Sequence, residues 1–201
     1  MTSLFPMFLK LEGRRCLVVG AGTVAEGKIS NLLLSGAEVQ VVAPSANRAV
    51  REWVRTGAIG WENREFSPAD LDRAFLVIVA TSSKEVNQAV FREAQSRKVL
   101  CNVVDDPEHC DFYYPAVVRR GQLQIAISTA GESPALAQKL RRELEIQFGP
   151  EYETWVEQLG KVRRGLFAQD QDISAEERRR KLHKLASEPP VAELISEGER
   201  L

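Results

Sequence analysis

The chain has 201 residues, of which 44% are hydrophobic and 27% charged, with a formal net charge of −1. That length suits one medium domain with an appendage, or two small domains, and the near-neutral balance excludes a global pull toward nucleic acid or an anionic membrane. The first residues hold no basic segment followed by an apolar stretch, and no apolar run approaches the roughly 18 residues that a membrane span needs, so a cytoplasmic protein is expected.

Arg15-Cys16-Leu17-Val18-Val19-Gly20 is a short apolar run ending in glycine and predicts a buried parallel strand. Residues 24–35 follow with Val24, Ile29, Leu32 and Leu33 at helical spacing, and Gly36 closes that helix. Residues 39–43 predict a second strand, stopped by Pro44. Residues 47–55 predict a second helix ending near Gly57, and residues 59–64 a weaker strand. Residues 75–80 predict a deeply buried strand and residues 86–97 a helix with Val86, Ala89, Val90 and Ala94 on one face. Residues 99–104 predict another strand. Strands alternating with helices imply an α/β fold with a Rossmann-type, doubly wound parallel sheet.

The rhythm changes after Asp106. Residues 114–119 and 123–128 predict two strands joined by a turn at Arg120-Gly121, with no helix between them, hence an antiparallel hairpin. Ser133-Pro134 opens a long helix, since serine is a good N-cap and proline suits the first helical position. Gly149-Pro150 ends it. From Glu151 the pattern is helical to the end, with Trp155, Leu159, Val162 and Leu166 in register, and the charge run at residues 176–184 reads as a solvated helix face. The expected domains are residues 1–113, residues 114–149 as a small α+β unit, and residues 150–201 as a helical domain. Three cysteines form no Cys-x-x-Cys pair and fit a reducing compartment. Cys16 and Cys101 lie in apolar runs and should be buried. Cys110 stands beside His109 without further ligands at useful spacing, so no protein metal site is expected.

Gly20-Ala21-Gly22-Thr23-Val24-Ala25 matches the Gly-x-Gly-x-x-Ala phosphate loop between the first strand and first helix. The first glycine permits the tight turn, the second lets the backbone approach a pyrophosphate, and the small Ala25 allows close packing of helix on strand. The helix N-terminus would receive the anion. An acidic residue is expected about 20 residues on, at the end of the second strand, to bind the ribose 2′-hydroxyl. Here that position reads Ala43-Pro44-Ser45. Ser45 or Asn47 could bind the ribose instead, and Arg48 leaves NADP open beside NAD.

Further residues carry a resemblance. Phe8-Leu9-Lys10-Leu11, the glycine loop with Lys28, Val79-Ala80-Thr81 and Val86-Asn87 are followed by Asn102-Val103-Val104-Asp105. Phe112, Pro115 and the stretch from Ile127 through Ser128-Thr129-Ala130-Gly131-Glu132-Ser133-Pro134 to Ala137 complete it. In order and spacing, residues 5 to 150 resemble the precorrin-2 dehydrogenase family, the NAD-dependent part of siroheme synthases. The resemblance implies hydride transfer from precorrin-2 to NAD, with loss of a proton, giving sirohydrochlorin. It implies Asp105 as the catalytic acid–base group. It also implies cofactor binding by Gly20, Gly22, Thr23, Val24, Pro44, Ser45, Thr81 and Asn102, substrate binding by Ser128, Thr129 and Ser133, and a homodimer built by the hairpin and following helix.

From the residues alone, Asp105 follows a strand at its carboxyl end, where open α/β sheets place ligands, though Asp105-Asp106-Pro107 also reads as a polar loop. The substrate's many carboxylates call for cations or helix-terminal donors, and Arg119, Arg120, Lys139, Arg141 and Arg142 are candidates. Two alternatives stay open. One is a bifunctional enzyme that also inserts ferrous iron, held by the tetrapyrrole nitrogens as substrate. The other is a non-catalytic NAD(H)-sensing regulatory protein.

Overall fold

The structure is a computed structural model and describes residues 4–168 and 174–187. The chain divides into two compact units, Met1–Tyr113 and Tyr114–Leu201. Residues 188–201, the end of the expected helical domain, lie outside the described residues. Among the described residues no helix is long and apolar enough to cross a membrane.

The first unit alternates β1 (Arg15–Val19), α1 (Thr23–Leu34), β2 (Glu38–Val42), α2 (Arg48–Arg55), β3 (Gly60–Glu62), β4 (Leu76–Val79), α3 (Lys84–Arg97) and β5 (Leu100–Val103). The five strands form one parallel sheet in the order β3-β2-β1-β4-β5. Chain order reverses between β1 and β4, so the connections leave β1 toward opposite edges and open a crevice at the carboxyl ends.

The apolar runs of the sequence follow from burial on both faces. Cys16 and Val18 of β1 face one cluster with Ile29 and Leu32 of α1 and Val50 of α2. Leu17 and Val19 face the opposite cluster with Val90 and Ala94 of α3 and Leu71. In β4, Leu76 and Ile78 divide from Val77 and Val79 in the same way. Cys16 and Cys101 are fully buried, and burial pushes their thiols up to about 11 and about 12 respectively.

The structure departs from the sequence expectation where an apolar residue serves something other than the core. Val24 is 53% exposed, and Ala25 with Ile29 and Leu32 makes the buried stripe of α1. On α3 the buried residues are Val90 and Ala94, while Ala89 is exposed. The third strand stops at Glu62, two residues early, because the Glu62 carbonyl accepts both the Ala43 N–H of the neighbouring strand end and the Arg64 N–H of a tight turn. A 3-10 turn at Pro68–Leu71 was not anticipated. It is closed by a capping box between Ser67 and the buried Asp70.

The second unit opens with β6 (Ala116–Arg120) and β7 (Leu123–Ile127), paired antiparallel from Ala116↔Ile127 to Arg120↔Leu123. The turn falls at Gly121-Gln122, with Gly121 at φ +52°, so Arg120 ends the strand and is not in the turn. α4 (Pro134–Gln147) starts at the Ser133 cap, whose hydroxyl oxygen accepts the Leu136 N–H. α5 (Glu151–Ala168) and α6 (Ala175–Ser187) follow. Val162 is exposed and leaves the stripe expected of it, whereas the charged α6 is largely solvated, as its composition suggests.

Gly20 has φ +110°, and a Cβ built on it would meet the Ala80 carbonyl oxygen at 2.3 Å. Backbone strain and overpacking act together there, so Gly20→Ala should lower unfolding stability by about 2 kcal/mol or more. Urea denaturation of the two proteins checks this, and an unchanged midpoint would contradict the close approach of β1 and β4.

Candidate functional site

Three connections meet over the carboxyl ends of the sheet. The β1–α1 loop supplies Gly20, Gly22, Thr23 and Val24, the end of β2 supplies Pro44 and Ser45, and the β4–α3 connection supplies Thr81 to Ser83. With Glu65 and Phe66 beyond β3 and Asp105 beyond β5, they line a cleft of about 760 Å³, a size suited to a cofactor. Seven of the eight residues expected to bind cofactor therefore share one wall, together with the expected catalytic Asp105.

The glycine loop divides into two roles. Gly20 is needed by the fold, as its contact with Ala80 indicates. A Cβ on Gly22 would meet nothing within 4 Å, so that glycine faces open space. Gly22 is also the N-cap of α1, with extended backbone at φ −88° and ψ −170°, and no side chain caps that helix. α2, α3 and α4, by contrast, are capped by Asn47, Ser83 and Ser133. The amide groups opening α1 are thus offered to the cleft, with the positive end of the helix dipole behind them. This fits the pyrophosphate of a dinucleotide.

Asn102 does not join this wall. It is buried in β5, and its Nδ2 donates to the Phe112 carbonyl at 2.7 Å and to the Cys110 sulfur at 3.3 Å. It stitches the returning limb of residues 110–112 to the strand, aided by the Asn102↔Cys110 bridge and by the Asp111 carboxylate, which accepts the Cys101 N–H at 2.9 Å. The Asn102 amide N–H groups thus hold the limb that packs beside the Asp105 loop. Asn47 is likewise engaged, capping α2 through Val50 N–H at 2.9 Å and donating to Glu26 at 2.8 Å.

Asp105 has φ +61°, a left-handed conformation uncommon for a residue with a side chain and better tolerated by aspartate than by most. Lys28 of α1 is the nearby cation. Burial lowers its ammonium below the usual lysine range, and the Asp105 carboxylate and Cys110 thiol offset part of that. Asp106 points elsewhere, to His109 Nδ1 at 2.8 Å, and the His109 ring packs edge-on against Phe91 at 4.7 Å. Among the described residues no group of three or more His, Cys, Asp or Glu could hold a metal ion.

Ser128, Thr129 and Ser133 lie in the second unit, around the turn that leads into α4. Ser128 Oγ accepts the Ala130 N–H at 3.1 Å and Thr129 Oγ1 the Ser133 N–H at 3.0 Å, with Ala130 and Gly131 both left-handed. Of the basic residues considered for substrate carboxylates, Arg120 is taken. Its Nε donates to the Phe148 carbonyl at 2.9 Å and its Nη2 to the Glu145 carbonyl at 3.0 Å, closing the end of α4. Arg141 pairs with Glu145, and Lys139 lies 3.6 Å from Glu143.

The sequence reading missed Glu65, Phe66 and the Ser82-Ser83 start of α3. An acid just past the third strand's carboxyl end was the available signal for Glu65.

A five-stranded parallel sheet with an uncapped glycine loop at its switch point defines a dinucleotide-binding α/β protein. Residues 7–116 match the family described as "Putative NAD(P)-binding", and residues 120–147 match "Sirohaem biosynthesis protein central". The chain is 38% identical over 194 residues to a siroheme synthase of Photorhabdus laumondii, covering 96% of this chain and 41% of that protein. It is 46% identical over 140 residues to a siroheme synthase of Methylobacillus flagellatus, covering 70% of this chain and 30% of that one. The chain thus spans well under half the length of these curated relatives. The solved structure of SirC, precorrin-2 dehydrogenase, superposes with a TM-score of 0.82 at 27% identity, over 98% of this chain and 96% of that one. The chain belongs to the siroheme synthase N-terminal/precorrin-2 dehydrogenase family, with its NAD(P)-binding domain followed by the central domain.

Gly22→Asp separates fold from binding. Aspartate is a good N-cap, so thermal stability should hold or rise by a few tenths of a kcal/mol, while its carboxylate takes the place of the pyrophosphate. Calorimetric titration should find dinucleotide binding abolished in a variant that melts no lower than the parent. Retained affinity would refute the loop assignment.

Proposed function

We propose that the chain oxidises precorrin-2 to sirohydrochlorin with NAD, and that Asp105 is the acid–base group. The observation that carries this reading is the position of Asp105, which lines the same cleft as Gly20 and Gly22, from the end of β5. The names of the relatives, siroheme synthase and precorrin-2 dehydrogenase, support the substrate class. Among the described residues the cleft wall holds no lysine, arginine or histidine, which favours NAD over the phosphorylated cofactor.

In the reaction the tetrapyrrole gives up a hydride and a proton, and bound NAD supplies the hydride acceptor. The α1 N-terminus and Gly22, with Thr23 and Val24, would hold the pyrophosphate, and Pro44, Ser45 and Thr81, which line the same cleft, would hold the rest of the cofactor. The Asp105 carboxylate accepts the proton. Its left-handed backbone is maintained by the Asp106 N–H to Val103 carbonyl bond and by the Asn102 stitch, so the carboxylate is presented by a restrained loop. Asn102 is a positioning residue. In the second unit, the Ser128, Thr129 and Ser133 hydroxyls each accept a backbone N–H and keep their own proton to donate to a substrate carboxylate.

The active species is a homodimer formed through residues 114–148. Among the described residues of the second unit only Val118 and Ala137 are buried hydrophobics, while Leu136 and Ile146 of α4 are exposed, Ile146 by 85%. A two-stranded hairpin with so little cover calls for a partner surface.

Asp105→Asn keeps a residue that tolerates the left-handed conformation and removes the charge. NAD affinity should stay within a few-fold of the parent while dehydrogenation falls by about two to four orders of magnitude. Stopped-time assays beside calorimetry check both arms, and normal turnover would reduce Asp105 to a loop-shaping role. For the assembly, sedimentation velocity at micromolar concentration should give a species of twice 22.4 kDa, and Ile146→Glu should shift it toward the monomer. A parent that sediments only at 22.4 kDa would overturn the dimer.

A further inference from the structure

The end of β2 lacks the carboxylate that usually reads the ribose. Ala43-Pro44-Ser45 offers one hydroxyl and no charge. The neighbouring strand supplies what is missing. β2 and β3 run parallel with Val42 opposite Glu62, and the Ala43 N–H donates to the Glu62 carbonyl at 3.2 Å, so the two strands give out side by side. Three residues on, Glu65 lines the cleft together with Pro44 and Ser45. Asp105, the other carboxylate of the lining, stands beyond β5 at the opposite edge of the sheet.

The segment carrying Glu65 is held in place. Arg64 donates through Nη1 to the Glu65 carbonyl at 3.0 Å and to Asp70 Oδ2 at 2.9 Å, and through Nη2 to Asp70 Oδ1 at 2.5 Å. Asp70 is buried and also accepts the Ser67 N–H at 2.8 Å. The clamp has two effects. It fixes the backbone of Glu65 at the mouth of the cleft, and it neutralises the adjacent guanidinium, which would otherwise be the natural ligand for a phosphate. Arg48, the other cation near the end of β2, is exposed on α2 and is not part of the lining.

We propose that Glu65 is the specificity-determining residue for the cofactor, accepting hydrogen bonds from the adenosine ribose hydroxyls and repelling a 2′-phosphate. The assignment rests on the dinucleotide reading of the cleft and moves the role of the missing β2 acid to the end of β3. A carboxylate is suited to it because it is acceptor-only and can take both hydroxyl protons of a vicinal diol.

The test is calorimetric titration of the full chain with NAD and NADP, and with ADP-ribose and its 2′-phosphate, which lack the nicotinamide. The parent should prefer the unphosphorylated form by about tenfold or more in both pairs. Glu65→Gln should narrow that preference and Glu65→Arg should bring it to parity or reverse it, with unchanged melting because the side chain is exposed. Binding of NAD with a preference that neither variant alters would overturn the role of Glu65 and leave the dinucleotide site standing. A parent that binds none of the four ligands would overturn both.

Discussion

The close approach of β1 and β4 at Gly20 sets the rest of the structure. These are the two strands between which chain order reverses, and the Ala80 carbonyl fills the space where a side chain on residue 20 would go. With that contact made, the chain turns at once into α1, and the first amides of the helix face outward over the sheet. The β4–α3 connection leaves the same point in the other direction. An anion site at the crevice is a consequence of packing two parallel strands this tightly, and Gly22 then leaves the space above it open.

From this point the two edges of the sheet take different work. At the β5 edge, Asn102, Cys110 and Asp111 tie a returning limb to the strand and hold Asp105 in its left-handed conformation. At the β3 edge, the Arg64–Asp70 pair ties down a second loop. Buried carboxylates are unfavourable unless fully partnered, and Asp70 meets that condition with a bidentate arginine and a backbone N–H. Burial alone would raise its pKa, and those partners prevail, leaving it below the ordinary aspartate value. In both loops the buried polar groups position a more exposed acid.

The sheet and its helices were legible in the sequence because strands covered on both faces must be continuously apolar, as in Leu76 to Val79, and because glycines and N-caps punctuate the connections. The glycine loop was legible because its steric demands admit few residue types. Val24 misled because hydrophobic periodicity does not distinguish a residue facing the core from one facing a ligand cleft. Asn102 and Arg120 spend side-chain donors inside the fold, Asn102 on the Phe112 carbonyl and the Cys110 sulfur and Arg120 on the Phe148 and Glu145 carbonyls, which residue type and spacing alone do not reveal. Glu65 carried no periodic signal, since its place depends on how β3 ends against β2 and on a clamp formed with a residue further along the chain.

Whether the glycine loop and Asp105 serve one reaction, loss of a hydride and a proton from a reduced tetrapyrrole, is decided by anaerobic incubation of the purified chain with precorrin-2 and NAD, followed by absorbance. Sirohydrochlorin and reduced nicotinamide should appear together, one for one. Saturable NAD binding with no conversion of precorrin-2 would contradict it and favour a protein that senses the cofactor without using it.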